Sequence, residues 1–222
     1  MKSMHSAADG RYKMFWAVLG ATLLSGICAA SVRGQTGGSD VYRVEEDWQL
    51  VVNEPDVSNN GPQVTCTFSP ADMSTAYCAI DINYHTQPEY VPGGVQLHTW
   101  DPSDLIMYAS SKHQGVMATS GETVTWTQRM SWRYGRIYFS VRNGSSQTWG
   151  SFGGTADSLR LNIGTWLPNL NSYSPDVSIA NSGVSFCSNK VASLTLTAVR
   201  CYDSQGNLIG QNNTPHVVYP QN

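Results

Sequence analysis

Apolar and polar residues alternate along this chain in short runs, separated by clusters of Gly, Pro, Asn and Ser. A period of two sends successive side chains to opposite faces, so each run predicts a strand with one buried face. The 3.6-residue period of an amphipathic helix is nearly absent. The clearest run is 123–130, with Val124, Trp126 and Met130 on one face and Thr123, Thr125, Thr127 and Arg129 on the other. In 136–142, Ile137, Phe139 and Val141 point one way and Arg136, Tyr138, Ser140 and Arg142 the other. Trp132 to Gly135 turns between these runs, and Asn143-Gly144 offers the positive φ angles of a tight reversal. Further strands are predicted at 48–52, 63–68, 76–84, 95–100, 105–109, 158–163, 184–186 and 193–201. Strands that each bury one face must be stacked, which predicts an all-β, two-sheet antiparallel sandwich with little helix.

The first 34 residues stand apart from this pattern. Lys2, Arg11 and Lys13 precede the uncharged stretch Met14 to Ala30, which ends in small residues and reads as a cleavable secretory signal peptide. Lipid attachment at Cys28 is disfavoured because the bulky Ile27 precedes it. The expected organisation is a signal at 1–34, a flexible leader at 35–41, the sandwich at 42–213 and a C-terminal tail at 214–222, in a secreted or cell-envelope protein with no transmembrane segment in the mature chain.

Without the signal, nine cations face fifteen acids, a net charge of about −6. The cations form no run along the sequence, so nucleic acid and membrane surfaces are disfavoured as partners. Four cysteines remain: Cys66, Cys78, Cys187 and Cys201. Cys66 and Cys78 lie symmetrically about Asp72 in the turn 69–73, so a hairpin centred there predicts a disulfide between them. The pairing of Cys187 and Cys201 stays open.

The segment 121–154, an aromatic-bearing strand, a short turn, Arg136-Ile137-Tyr138-Phe139-Ser140-Val141 and an Asn-Gly turn, resembles the middle of concanavalin-A-like and laminin-G-like jelly rolls. The resemblance implies a jelly-roll sandwich and says little about activity. Ala79-Ile80-Asp81-Ile82-Asn83 is similar to a strand of jelly-roll glycosidases that carries Glu, Asp and Glu at alternate positions. Ala79 and Asn83 occupy both glutamate positions here, so that carboxylate pair is missing.

No other catalytic constellation stands out. Glu45-Glu46-Asp47 reads as a solvated edge before the Trp48 strand, and no Gly-x-Ser-x-Gly or His-Glu-x-x-His motif occurs. His85, His98, His113 and His216 are too scattered for zinc. Asp56 to Gly61 matches the first half of a calcium loop, but Thr67 stands where the bidentate Glu belongs, and a polar turn accounts for the same letters. Calcium is the one cofactor with any hint, and no metal ligand is assigned.

Six tryptophans remain after the signal, and Trp100, Trp132, Trp149 and Trp166 lie beside polar residues or near turns, as rings that stack on sugars do. If Ile80, Ile82, Leu97, Ile137, Phe139 and Val141 face the core, alternation turns the intervening residues outward. Asp81, Asn83 and His85, with Gln96, His98 and Trp100 and with Arg136 and Tyr138, then form a candidate groove. The expected function is an exported non-catalytic recognition domain whose ligand is a glycan. A polysaccharide-cleaving enzyme of the same fold and a structural surface or envelope protein remain as alternatives.

Overall fold

Each alternating run forms a strand. The computed structural model describes residues 39–54, 61–83, 94–101, 104–110, 113, 115–117 and 119–221. The expected signal at 1–34, most of the expected leader, most of the calcium-like half-motif and His85 lie outside the described residues.

The strands in chain order are β1 (Arg43–Val52), β2 (Gln63–Phe68), β3 (Tyr77–Ile82), β4 (Val95–Asp101), β5 (Asp104–Ser110), β6 (Thr123–Arg133), β7 (Arg136–Ser146), β8 (Gly150–Phe152) and β9 (Arg160–Gly164). After the short helix α1 (Pro175–Ala180) come β10 (Gly183–Phe186), β11 (Val191–Tyr202), β12 (Leu208–Asn212) and β13 (His216–Tyr219). All pairings are antiparallel. One sheet has eight strands in the order β12-β11-β1-β6-β7-β8, with β13 also on β11 and β9 also on β7. The other has five, in the order β10-β2-β3-β4-β5.

The apolar faces of both sheets share one core. Val64, Cys66, Phe68, Ile80, Ile82 and Leu97 come from the five-stranded sheet; Val44, Trp48, Leu50, Val124, Ile137 and Phe139 come from the eight-stranded one. Phe68 and Phe139 meet edge to face across the interface, ring centroids 6.3 Å apart. Two antiparallel sheets packed this way are a sandwich architecture, as the alternation predicts.

Several expectations are corrected. In the β2–β3 hairpin Cys66 pairs with Ile80, and Phe68 with Cys78. The hairpin is therefore centred on Met73 and not on Asp72. Moving a hairpin's centre by one residue displaces every pairing by two, so Cys66 and Cys78 are not opposed. Both are free and buried, as is Cys201, while Cys187 is free and partly exposed.

Asn143-Gly144 does not reverse the chain either. It lies within β7, where the register slips between Thr125↔Ser145 and Thr127↔Arg142, and Asn143 takes φ 53° there: a β-bulge. The reversal before β7 is the two-residue turn Tyr134-Gly135, with φ 49° and 69°. The segment expected as a tail contains β13, which pairs with β11 and buries Val218. β8, β12 and β13 are too short or too polar to show a clear alternation. Helix α1 carries a start signature that strand alternation does not reveal: Ser174 as N-cap, accepting from Asp176 N, followed by Pro175.

Candidate functional site

The predicted groove divides between the two sheets. Asp81, Asn83, Gln96, His98 and Trp100 belong to the five-stranded sheet or its margin, whereas Arg136 and Tyr138 lie on β7 of the eight-stranded sheet. Alternation placed them correctly on the faces turned away from the core, but it did not say which faces are open. Asp81, Asn83, Gln96 and His98 are buried, Trp100 is half-buried, and Arg136 and Tyr138 are exposed. The described residues of the predicted set do not share a single groove.

The buried half is nevertheless an organised polar cluster. Asp81 stands opposite Gln96, and His98 is the next residue on the same face of β4, two positions further along. The Nδ1 atom of His98 lies 2.6 Å from Asp81 Oδ2, and Thr65 Oγ1 donates to Asp81 Oδ1 at 2.5 Å. Among the described residues no group of three or more His, Cys, Asp or Glu side chains is arranged to hold a metal.

Glu46 departs furthest from its reading as a solvated edge. It sits in the middle of β1, between β11 and β6, on the core face, fully buried. Four donors converge on it: Trp48 Nε1 at 2.9 Å, Gln128 Nε2 at 2.5 Å, Tyr173 Oη at 2.6 Å and Ser178 Oγ at 2.7 Å. Burial raises its pKa in spite of those bonds. Glu122 is likewise buried, accepting from Ser146 Oγ, from Thr148 N at 3.0 Å and from Thr148 Oγ1 at 2.6 Å. Both carboxyl groups are saturated with internal donors, a structural arrangement.

The exposed half belongs to a larger feature that the linear sequence conceals. On the outer face of the eight-stranded sheet, Arg43 from β1, Arg129 and Arg133 from β6, Arg136 and Arg142 from β7, Arg160 from β9 and Arg200 from β11 all stand at outward positions. These are seven of the nine cations beyond residue 34. Glu45 and Asp47 are the carboxylates that share this face on β1. Arg129 clasps Glu45 at 2.6 Å, and Arg200 forms a bidentate pair with Asp47 at 2.5 and 2.7 Å. Burial works to raise the Glu45 pKa, but Arg129, Tyr202 and Arg43 hold it below the ordinary carboxyl value. Arg43 stacks on the Tyr202 ring, 3.7 Å from its centroid. A shallow depression of about 320 Å³ opens beside the β7 bulge, with Asp47, Gln49, Thr127, Asn143 and Arg200 in its lining.

At one end of this face the chain presents large rings to solvent. Tyr134, in the β6–β7 turn, is 95% exposed, and Trp166, just past β9, is 81% exposed. A bond from Thr165 N to Gly135 O, 2.9 Å long, brings the two segments together beside Arg133 and Arg136. Trp166 also borders a cleft of about 170 Å³ with Ser74, Thr75 and Asp101 in its wall. Of the other tryptophans near turns, Trp149 is buried, and half-buried Trp132 donates from Nε1 to Leu167 O at 2.7 Å. These rings cap the sandwich.

No protein family, no curated protein and no solved structure matches this chain. No helix among the described residues is long and apolar enough to cross a membrane.

Proposed function

We propose that this protein is an exported, non-catalytic recognition domain of jelly-roll type whose ligand is a glycan. The observation that carries the reading is the ring-bearing end of the eight-stranded sheet. Trp166 and Tyr134 are held out in water beside Arg133, Arg136 and a cleft whose wall includes Ser74, Thr75 and Asp101. The apolar face of a pyranose stacks on such rings while its hydroxyl groups bond to the polar neighbours. The uncharged stretch Met14 to Ala30 behind Lys2, Arg11 and Lys13 supports export. The position of β1 beside β11, with the chain's early and late strands adjacent in one sheet, supports the jelly-roll assignment. A binding role is favoured over cleavage because the buried carboxyl groups of Glu46 and Glu122 are occupied by internal donors, and Glu45 and Asp47 by arginines.

The test is a glycan array probed with the mature domain, followed by calorimetry on the strongest hit with the wild type and Trp166→Ala. Saturable binding that Trp166→Ala abolishes at an unchanged melting temperature is the expected result. Binding to no glycan, or release of reducing ends from the bound one, overturns the proposal.

A further inference from the structure

We infer that the ligand is an anionic polysaccharide, carrying sulfate or uronate groups, which lies across the outer face of the eight-stranded sheet and is anchored around Ser140. The inference rests on the glycan reading above and adds the charge class of the ligand and the surface that reads it.

The geometry follows from the register. Ser140 of β7 stands opposite Arg129 of β6 on one side and opposite Arg160 of β9 on the other, and Arg142 is the next outward residue along β7. Three arginines therefore flank Ser140 on an open face, the guanidinium of Arg129 being held by Glu45. Arg142 and Arg160 are exposed and have no carboxylate partner among the described residues. Arg142 feels the crowding: its pKa is lowered by partial burial and then by the like charge of Arg129, with Glu45 opposing and Arg43 adding a smaller lowering. An anion seated over Ser140 relieves that repulsion and meets planar donors suited to bidentate bonding with sulfate or carboxylate. The depression at Thr127 and Asn143 continues the surface from Arg142 with hydroxyl and amide groups for sugar contacts.

Charge spacing selects a polysaccharide over a nucleic acid. Arg129 and Arg160 are two strand spacings apart, roughly 10 Å, and Arg136 and Arg142 are six residues apart on β7, roughly 20 Å. The β1 column between Arg200 and Arg129 carries the carboxylates Glu45 and Asp47. A duplex, with one charge per roughly 1.7 Å, would press phosphates onto those carboxylates, whereas a sugar chain with one charge per residue or two steps over them.

The experiment compares dextran, dextran sulfate, alginate and a DNA duplex as ligands of the mature domain over a range of salt concentrations. The proteins are the wild type, Arg142→Gln/Arg160→Gln, Trp166→Ala and, as a charge control away from this face, Lys190→Gln. The inference expects dextran sulfate or alginate to bind at least about tenfold tighter than dextran, the stronger of the two identifying sulfate or uronate as the recognised group. It expects the double arginine variant to lose about tenfold in affinity and about two units of salt slope, with Lys190→Gln unchanged. Equal binding of dextran and the charged chains, or full binding by the double variant, overturns the anionic assignment and leaves the glycan reading standing. Tighter binding of the duplex than of either charged polysaccharide overturns it in favour of nucleic acid. No binding to any polysaccharide, on the array or here, removes both.

Discussion

The hydroxyl group of Tyr173 donates to the carboxyl group of Glu46 at 2.6 Å, joining two buried residues 127 positions apart in the chain. The bond ties the segment before α1 to the centre of the eight-stranded sheet, and Ser178 within α1 adds a second bond to the same carboxyl group. Glu46→Ala removes the acceptor and leaves Trp48, Gln128, Tyr173 and Ser178 with buried donors. A loss of about 3–5 kcal/mol is expected in urea unfolding, with Glu46→Gln costing less because it keeps one acceptor oxygen. A cost below about 1 kcal/mol for the alanine variant contradicts the central role of this carboxyl group.

The same residue gives stability a pH dependence of defined sign. Burial lifts the Glu46 pKa above its ordinary value of 4.5. An acid with a raised folded-state pKa binds its proton more tightly in the native state than in the unfolded one. Its contribution is therefore full below the ordinary value and is lost as pH rises through the raised one. The wild type should lose stability relative to Glu46→Gln as pH climbs from about 4 towards neutrality. Unfolding free energies of the two proteins measured side by side check this, and a difference that grows in the wild type's favour has the wrong sign.

Thiol labelling distinguishes the cysteines. Burial pushes the thiol of Cys66 well up and that of Cys201 to about 11, and it raises Cys78 as well, so none is a thiolate at neutral pH. In the native protein only the partly exposed Cys187 among these four should react with a maleimide, and all four should react after unfolding without reductant. A Cys66–Cys78 linked peptide in a non-reduced digest would restore the hairpin centred on Asp72.

Gly144 follows the bulge residue Asn143, and a Cβ built there would lie inside van der Waals contact with the Phe152 ring of β8. Gly144→Ala should cost about 1–3 kcal/mol through overpacking. Pairing it with Phe152→Leu should recover part of that loss. Thermal unfolding of the single and double variants reads this out, and simple additivity of the two costs would show that the contact is not what excludes a side chain at 144.

Asp81 and His98 form a pair 2.6 Å apart that is closed off from solvent. Removing either partner leaves the other buried without its main bond, so His98→Ala and Asp81→Ala should each destabilise by about 2–4 kcal/mol. The double variant should cost less than the two losses together. Additive losses in a double-mutant cycle would mean that the two side chains act independently.

Alternation along the chain was enough to place the strands and to sort their residues between two faces, because the pleat sends neighbours to opposite sides whatever lies around the strand. Thus 63–68 was legible from end to end, and Val124, Trp126, Ile137, Phe139 and Val141 were readable as core. Alternation also turned Asp81, His98, Arg136 and Tyr138 away from the core, but it did not show that they belong to two different sheets. Whether such a face meets water depends on what packs against it, a relation between segments distant in the chain. Asp81 and His98 are buried for that reason, while Arg136 and Tyr138 are open. Glu46 is tolerated in the core because Gln128 of β6 and Tyr173 and Ser178 around α1, from two distant segments, bring donors to it. The cations form no run in the sequence, yet antiparallel pairing sets Arg129 and Arg160 on either side of Ser140. Charge density on a sheet is fixed by register between strands, so tertiary structure alone could turn scattered arginines into one surface.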